Sequence, residues 1–168
     1  MLQANAVDPR LSELLKFAMA QPELNGLRLA GGTALALRLG HRLSVDVDLF
    51  GTIDFTTVDV ADVLGRYGRA ELIQRSRNIE IYAVDGIKTE IVNYRWEWLR
   101  PTLDVDNIRM AASEDIAAMK LNAVSGRGSR KVFIDIYAML KNYGAGPLVF
   151  TSKFEFHDQS VNDQTDFM

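Results

Sequence analysis

The sequence predicts an α+β fold in which a small mixed β-sheet is followed by a C-terminal helical segment. Three observations carry that prediction. Two apolar runs, Ile79 to Val84 and Ile87 to Asn93, flank Asp85-Gly86, a dipeptide favoured in two-residue hairpins. Val45, Val47 and Leu49 alternate with Asp46, Asp48 and Phe50 at the period of two that marks a strand. Leu11, Leu14, Leu15, Ala18 and Met19 recur at helical spacing, as do Ile116, Met119 and Ala123.

The elements follow in order. Asp8 is placed to cap the first helix, Pro9 suits its first position, and Pro22 follows its end. An apolar strand from Leu27 to Ala30 runs into the turn Gly31-Gly32-Thr33. Residues 34 to 39 read as a brief helix stopped by Gly40. In the strand that comes next, Val45, Val47 and Leu49 turn to the core. A helix carrying Val60, Val63, Leu64 and Tyr67 precedes the hairpin, and residues 95 to 107 read as a connecting loop with Trp96, Trp98 and Pro101. Ser113 is the expected N-cap of a helix running to about Ser125. Its first turn holds Glu114 and Asp115, where negative charge suits the helix dipole. Gly126 to Gly128 break that helix, and another runs from Arg130 to about Asn142. The chain thus divides into a core over 1–106, a basic helical segment over 107–143 and an irregular tail over 144–168.

Composition narrows the chemistry. Of 168 residues, 48% are hydrophobic and 24% charged, the balance of a globular chain. A formal charge of −3 excludes a uniformly basic nucleic-acid coat protein, and the lack of cysteine excludes disulfide scaffolds, thiol catalysis and zinc ribbons. The two histidines are His41 and His157, too few for a histidine-rich metal site. No apolar run approaches the roughly 20 residues of a membrane span, and the first residues lack the apolar region of a signal peptide. A cytoplasmic location without membrane partners is therefore expected. Charge is unevenly spread: residues 107–143 hold six Lys or Arg against three acids, and residues 144–168 one Lys against four acids.

Chemistry-bearing residues gather along this layout. The Gly31-Gly32-Thr33 turn permits close backbone approach, and the amides of the following helix N-terminus favour an anion. On a strand, Asp46 and Asp48 point to one face, roughly 6–7 Å apart. They mark either a pair that holds Mg²⁺ or two solvent-facing acids. Glu90 falls opposite Ile81 in the hairpin and shares a face with Ile79 and Val92. It is either a third metal ligand or one end of a salt bridge. Lys120 lies on the apolar stripe of its helix, where it either snorkels to solvent or reaches a triphosphate. Arg127, Arg130 and Lys131 follow in a Gly-flanked turn.

Taken in order, a Gly-Gly-hydroxyl turn, a short helix, an Asp-x-Asp strand and a later strand with a lone acid resemble the polymerase β-like nucleotidyltransferase fold. The run GGTALALRLGHRLSVDVDLF, at 31–50, and the run IRMAASEDIAAMKLNAVSGRGSRKVFIDIYAML, at 108–140, resemble the AbiEii/AbiGii-type abortive-infection toxins. These are the nucleotidyltransferase partners of type IV toxin–antitoxin systems, and the resemblance covers about residues 10 to 143. It implies a nucleotidyltransferase core, an NTP substrate, two Mg²⁺ ions, a hydroxyl acceptor such as tRNA, and a cognate antitoxin. It also implies roles for individual residues. Gly31, Gly32 and Thr33 match the loop that holds the nucleotide phosphates. Asp46 and Asp48 match the metal pair, and Glu90 the third carboxylate. Lys120, Arg127, Lys131 and Asp135 match the C-terminal motif, with Lys120 catalytic and the others nucleotide-binding. The motif departs from the family at Val132, where an acid is usual, so a non-catalytic nucleotide-binding or interaction protein is the alternative.

Overall fold

The computed structural model describes residues 2–145, with the backbone alone over residues 125–127. Most of the tail predicted from 144, from residue 146 on, lies outside the described residues.

Helix α1 (Pro9–Ala20) starts where the Arg10 N–H donates to the Asp8 carboxylate at 2.8 Å. It buries Leu11, Leu14, Leu15, Ala18 and Met19, the stripe its periodicity predicts. Strand β1 (Leu27–Leu29) leads into α2 (Gly31–Leu39), which Gly40 terminates in the left-handed region at φ +62°. Strand β2 (Val47–Gly51) and α3 (Val60–Gly65) follow. Then come β3 (Ala70–Arg75), β4 (Ile79–Val84) and β5 (Ile87–Asn93). Two short strands, β6 (Leu103–Val105) and β7 (Ile108–Met110), precede α4 (Ser113–Arg127) and α5 (Arg130–Tyr143).

All seven strands form one sheet in the order β3-β4-β5-β2-β1-β7-β6. The β2–β5 and β1–β7 pairs are parallel and the rest antiparallel, so the sheet is mixed. The hairpin forms in the predicted register, with Ile81 opposite Glu90, over a turn with positive φ at Asp85 and Gly86. Leu27, Leu29, Val47, Leu49, Tyr82, Ile91 and Met110 bury one face of the sheet in the main core. Asp48, Phe50 and Glu90 lie on the other face, half-buried. There the Tyr94 ring packs on Phe50, Trp96 and Trp98, and the Arg28 guanidinium lies 4.3 Å over Trp98. Among the described residues no helix is long and apolar enough to cross a membrane.

Several expectations are corrected. The α2 helix begins at Gly31, so Gly31, Gly32 and Thr33 are its first turn rather than a loop before it. The strand that carries Asp48 begins at Val47; Val45 precedes it and is exposed rather than in the core. Ser113 is the first residue of α4, and its N-cap is Ala112 with no side-chain hydrogen bond. The expected loop over 95–107 contains β6, paired with β7 across a turn in which Asp106 and Asn107 have positive φ. Strand β7 also pairs with β1, so residues 108–110, counted with the helical segment, belong to the core sheet. Arg109 ties it down, donating to the carbonyls of Met19, Leu24 and Leu27 at 2.8, 3.1 and 3.1 Å. Helix α5 buries Val132, Asp135, Ala138 and Met139 and leaves Phe133, Ile134, Tyr137 and Leu140 exposed.

Candidate active site

Parallel pairing of β2 with β5 sets Asp48 directly beside Glu90 on one sheet face. Asp46 lies two residues before Asp48, ahead of the strand proper, and remains partly open to solvent. The first turn of α2 stands over Asp48. Gly31 has φ +65°, and a Cβ there would meet Asp48 Oδ2 at 2.5 Å, so only glycine allows the helix to start this close to the carboxylate.

The surroundings of Asp48 disfavour its charge. Burial comes first, followed by the neighbouring Glu90 and Asp46 charges; together they push the carboxyl up to about 6. Lys88 and Lys120 pull the other way. Lys88, two residues from Glu90 on the same strand face, donates to Glu90 Oε2 at 3.1 Å. Lys131 Nζ stands 4.0 Å from Asp46 Oδ2. The lone acid of β5 thus holds an ion pair along its own strand, while Asp48 retains an unfavourable charge.

This donor chemistry suits a hard divalent cation: oxygen ligands that repel one another and raise the pKa of the most enclosed member. With Glu90 turned to Lys88 and Asp46 facing Lys131, however, no three acidic or histidine side chains among the described residues are gathered closely enough to hold an ion as they stand.

The other predicted residues fall into a second cluster. Asp135 is fully buried, and three side chains point at it: His41 Nε2 at 2.7 Å, Arg42 Nε at 2.7 Å and Lys120 Nζ at 2.8 Å. Burial pushes the Asp135 carboxyl up, but hydrogen bonds from Arg42, Lys120 and His41 outweigh it and hold the carboxyl down at about 2. Gly32 sits against this cluster, and a Cβ there would run into the Arg42 guanidinium. Thr33 is fully buried; its hydroxyl donates to the Asp46 carbonyl and shares a 2.8 Å hydrogen bond with Ser44. As placed, that hydroxyl faces the protein and not an open phosphate site. The Arg127 side chain lies outside the described residues.

The sheet and α2 therefore bring Gly31, Asp46, Asp48 and Glu90 together. Lys120 lies between this group and Asp135, while Gly32, Thr33 and Asp135 form the layer behind. Sequence reasoning missed Lys88, His41, Arg42 and Ser44. For Lys88 a signal existed: its spacing from Glu90 puts both on one strand face. His41 and Arg42 carry none, because their partner is remote in sequence.

The family described as nucleotidyl transferase AbiEii toxin, type IV TA system, matches residues 14–167. An uncharacterized protein of Aquifex aeolicus is 36% identical over 124 residues, which are 71% of this chain and 60% of that protein. The chain thus spans well under two thirds of the length of that curated relative. Among solved structures, JHP933 from Helicobacter pylori aligns with a TM-score of 0.64 at 20% identity, covering 94% of this chain and 75% of that one. The antibiotic-resistance factor ANT(2'')-Ia aligns with a TM-score of 0.67 at 13% identity, covering 96% of this chain and 100% of that one. At these identities the structural matches establish a shared fold.

Proposed function

The chain belongs to the nucleotidyl transferase AbiEii toxin family of type IV toxin–antitoxin systems, and on that premise we propose that it moves a nucleoside monophosphate from an NTP to a hydroxyl acceptor, releasing pyrophosphate. The observation that carries this reading is the in-register pairing of Asp48 with Glu90 beneath the glycine that opens α2. It puts two carboxylates next to free helix-terminal amides, a pairing suited to a metal–triphosphate substrate.

Asp46, Asp48 and Glu90 are the residues that would hold Mg²⁺, two ions in the complete site. Bound there, the metal would activate the acceptor oxygen and offset the charge of the triphosphate. The chain's own residues do the rest. The first amides of α2 receive the β- and γ-phosphates, helped by the positive end of the helix. Glu90 takes the proton of the acceptor hydroxyl. Lys120 and Lys131, with Arg127, offset charge on the departing pyrophosphate. A tRNA end is the proposed acceptor, approaching along the basic helical segment, and a cognate antitoxin is the proposed partner.

Incubation with each labelled NTP, Mg²⁺ and total RNA tests the proposal: label is expected in RNA, and Asp46→Ala and Asp48→Ala are expected to lose it. Pyrophosphate release by Asp46→Ala at the parent rate would sink the assignment.

The ion pairs Lys88–Glu90 and Lys131–Asp46 favour one second reading, a nucleotide-binding protein without turnover. Mg²⁺-dependent NTP binding by calorimetry with no pyrophosphate released would select it.

A further inference from the structure

Asp135 has no exposed surface, and its contacts lead to both sides of the carboxylate site. We propose that Asp135, with His41 and Arg42, is a positioning hub for that site and does not itself contact the nucleotide. One arm is Lys120, whose amine is held 2.8 Å from Asp135 Oδ2 and whose charge is felt at Asp48. The other arm runs through Arg42. Its Nε and Nη2 donate to the two Asp135 oxygens at 2.7 and 3.1 Å, while its Nη1 donates to Ser44 Oγ at 3.3 Å. Ser44 bonds Thr33, and Thr33 donates to the carbonyl of Asp46. A single buried carboxylate therefore fixes a lysine on one flank of the site and the backbone of an acid on the other.

Charge and space support this assignment over a direct contact. A nucleotide is an anion, and a buried carboxylate with a strongly lowered pKa would repel its phosphates. Both Asp135 oxygens are already taken by Arg42, His41 and Lys120. His41 has Asp135 as its hydrogen-bond partner at Nε2, and its Nδ1 is buried with no partner among the described residues. Gly32 fits the same picture, since a side chain there would displace Arg42 and press on Asp135 Oδ2 at 3.2 Å.

The consequence for rate rests on the nucleotidyl-transfer reading; the geometry does not. Two readouts on the full chain separate them. In the first, lysines are acylated under limiting reagent and quantified by mass spectrometry, with Lys141 as the exposed reference. Lys120 is expected to be shielded in the parent and to become several-fold more reactive in Asp135→Asn and in His41→Leu, while His41→Gln, which keeps an N–H donor, restores shielding. Unchanged Lys120 reactivity in folded Asp135→Asn and His41→Leu would overturn the hub whatever the protein's activity. In the second, NTP kinetics are measured. Asp135→Asn and His41→Leu are expected to lower kcat by about a hundredfold, the scale of losing one fixed charge-stabilising group, with KM for the NTP little changed. A raised KM at unchanged kcat would assign Asp135 to nucleotide contact instead. If Asp135→Asn fails to fold, His41→Leu and Arg42→Lys carry both readouts.

Discussion

Asp48 and Asp135 are the same residue type a few side chains apart, and their surroundings drive them in opposite directions. Asp48 sits with two other acids and is pushed up to about 6. Asp135 sits with the Arg42 and Lys120 cations and the His41 ring and is held down at about 2. The difference separates an acid that completes the fold from one whose site asks for something more. Asp135 has its counter-charges built into α4 and the loop after α2, so its ionised form stabilises the protein by itself. Asp48 has too few, and its neighbourhood is balanced only when further positive charge arrives. Strained electrostatics of the second kind mark a binding site more reliably than an acid's mere presence.

This contrast can be broken at either end. The largest effect is expected from Asp135→Ala, which leaves the half-buried Arg42 and Lys120 without their anion. A loss of about 3–5 kcal/mol in chemical denaturation is expected, the scale for removing one partner of a buried ion pair. Asp48→Asn should act oppositely. It is expected to stabilise the metal-free protein at pH 8 by up to about 3 kcal/mol, from the roughly two-unit rise in pKa. Added Mg²⁺ is expected to raise the melting temperature of the parent and not of this variant.

The pH profile sharpens the same comparison. Asp48 has a folded pKa above its ordinary 3.8, so the folded state holds the extra proton between pH 4 and 6. Stability from this group is full below that window and falls as pH rises through it. Asp135 has a folded pKa below 3.8, so its contribution of roughly 2 kcal/mol is present above pH 4 and lost as pH falls towards 2. Denaturation midpoints from pH 2 to 8 should therefore rise and then decline in the parent, and the decline should be smaller in Asp48→Asn. The smallest effect is expected from Thr33→Val, about 1 kcal/mol for a lost hydroxyl bond to the Asp46 carbonyl.

Much of this arrangement was legible in the residues. The β4–β5 hairpin and its register followed from alternation around Asp85-Gly86, and that register correctly set Glu90 opposite Ile81. Strand β3 was not legible because it runs along the sheet edge, where Glu71, Leu72, Ile73, Gln74 and Arg75 are all exposed and no apolar face is imposed. Strands β6 and β7 have three residues each, too short for a period to show, although Asp106-Asn107 between them is a turn signal. At the site, Asp48 and Glu90 could be read as strand residues with unusual charge, whereas Asp46, read the same way, lies just ahead of its strand. The hub could not, because His41 and Arg42 meet Asp135 only through the docking of α5 on α2, a tertiary contact that local patterning does not encode.

The order of strands in the sheet has a consequence for the birth of the molecule. Asp48 acquires Glu90 as a neighbour only when β5 slots alongside β2, after β3 and β4 have been made. The side chain that steadies both flanks of the site comes later still, from α5. A chain leaving the ribosome carries its Asp-x-Asp pair early but has no assembled site until nearly all of the described span has emerged.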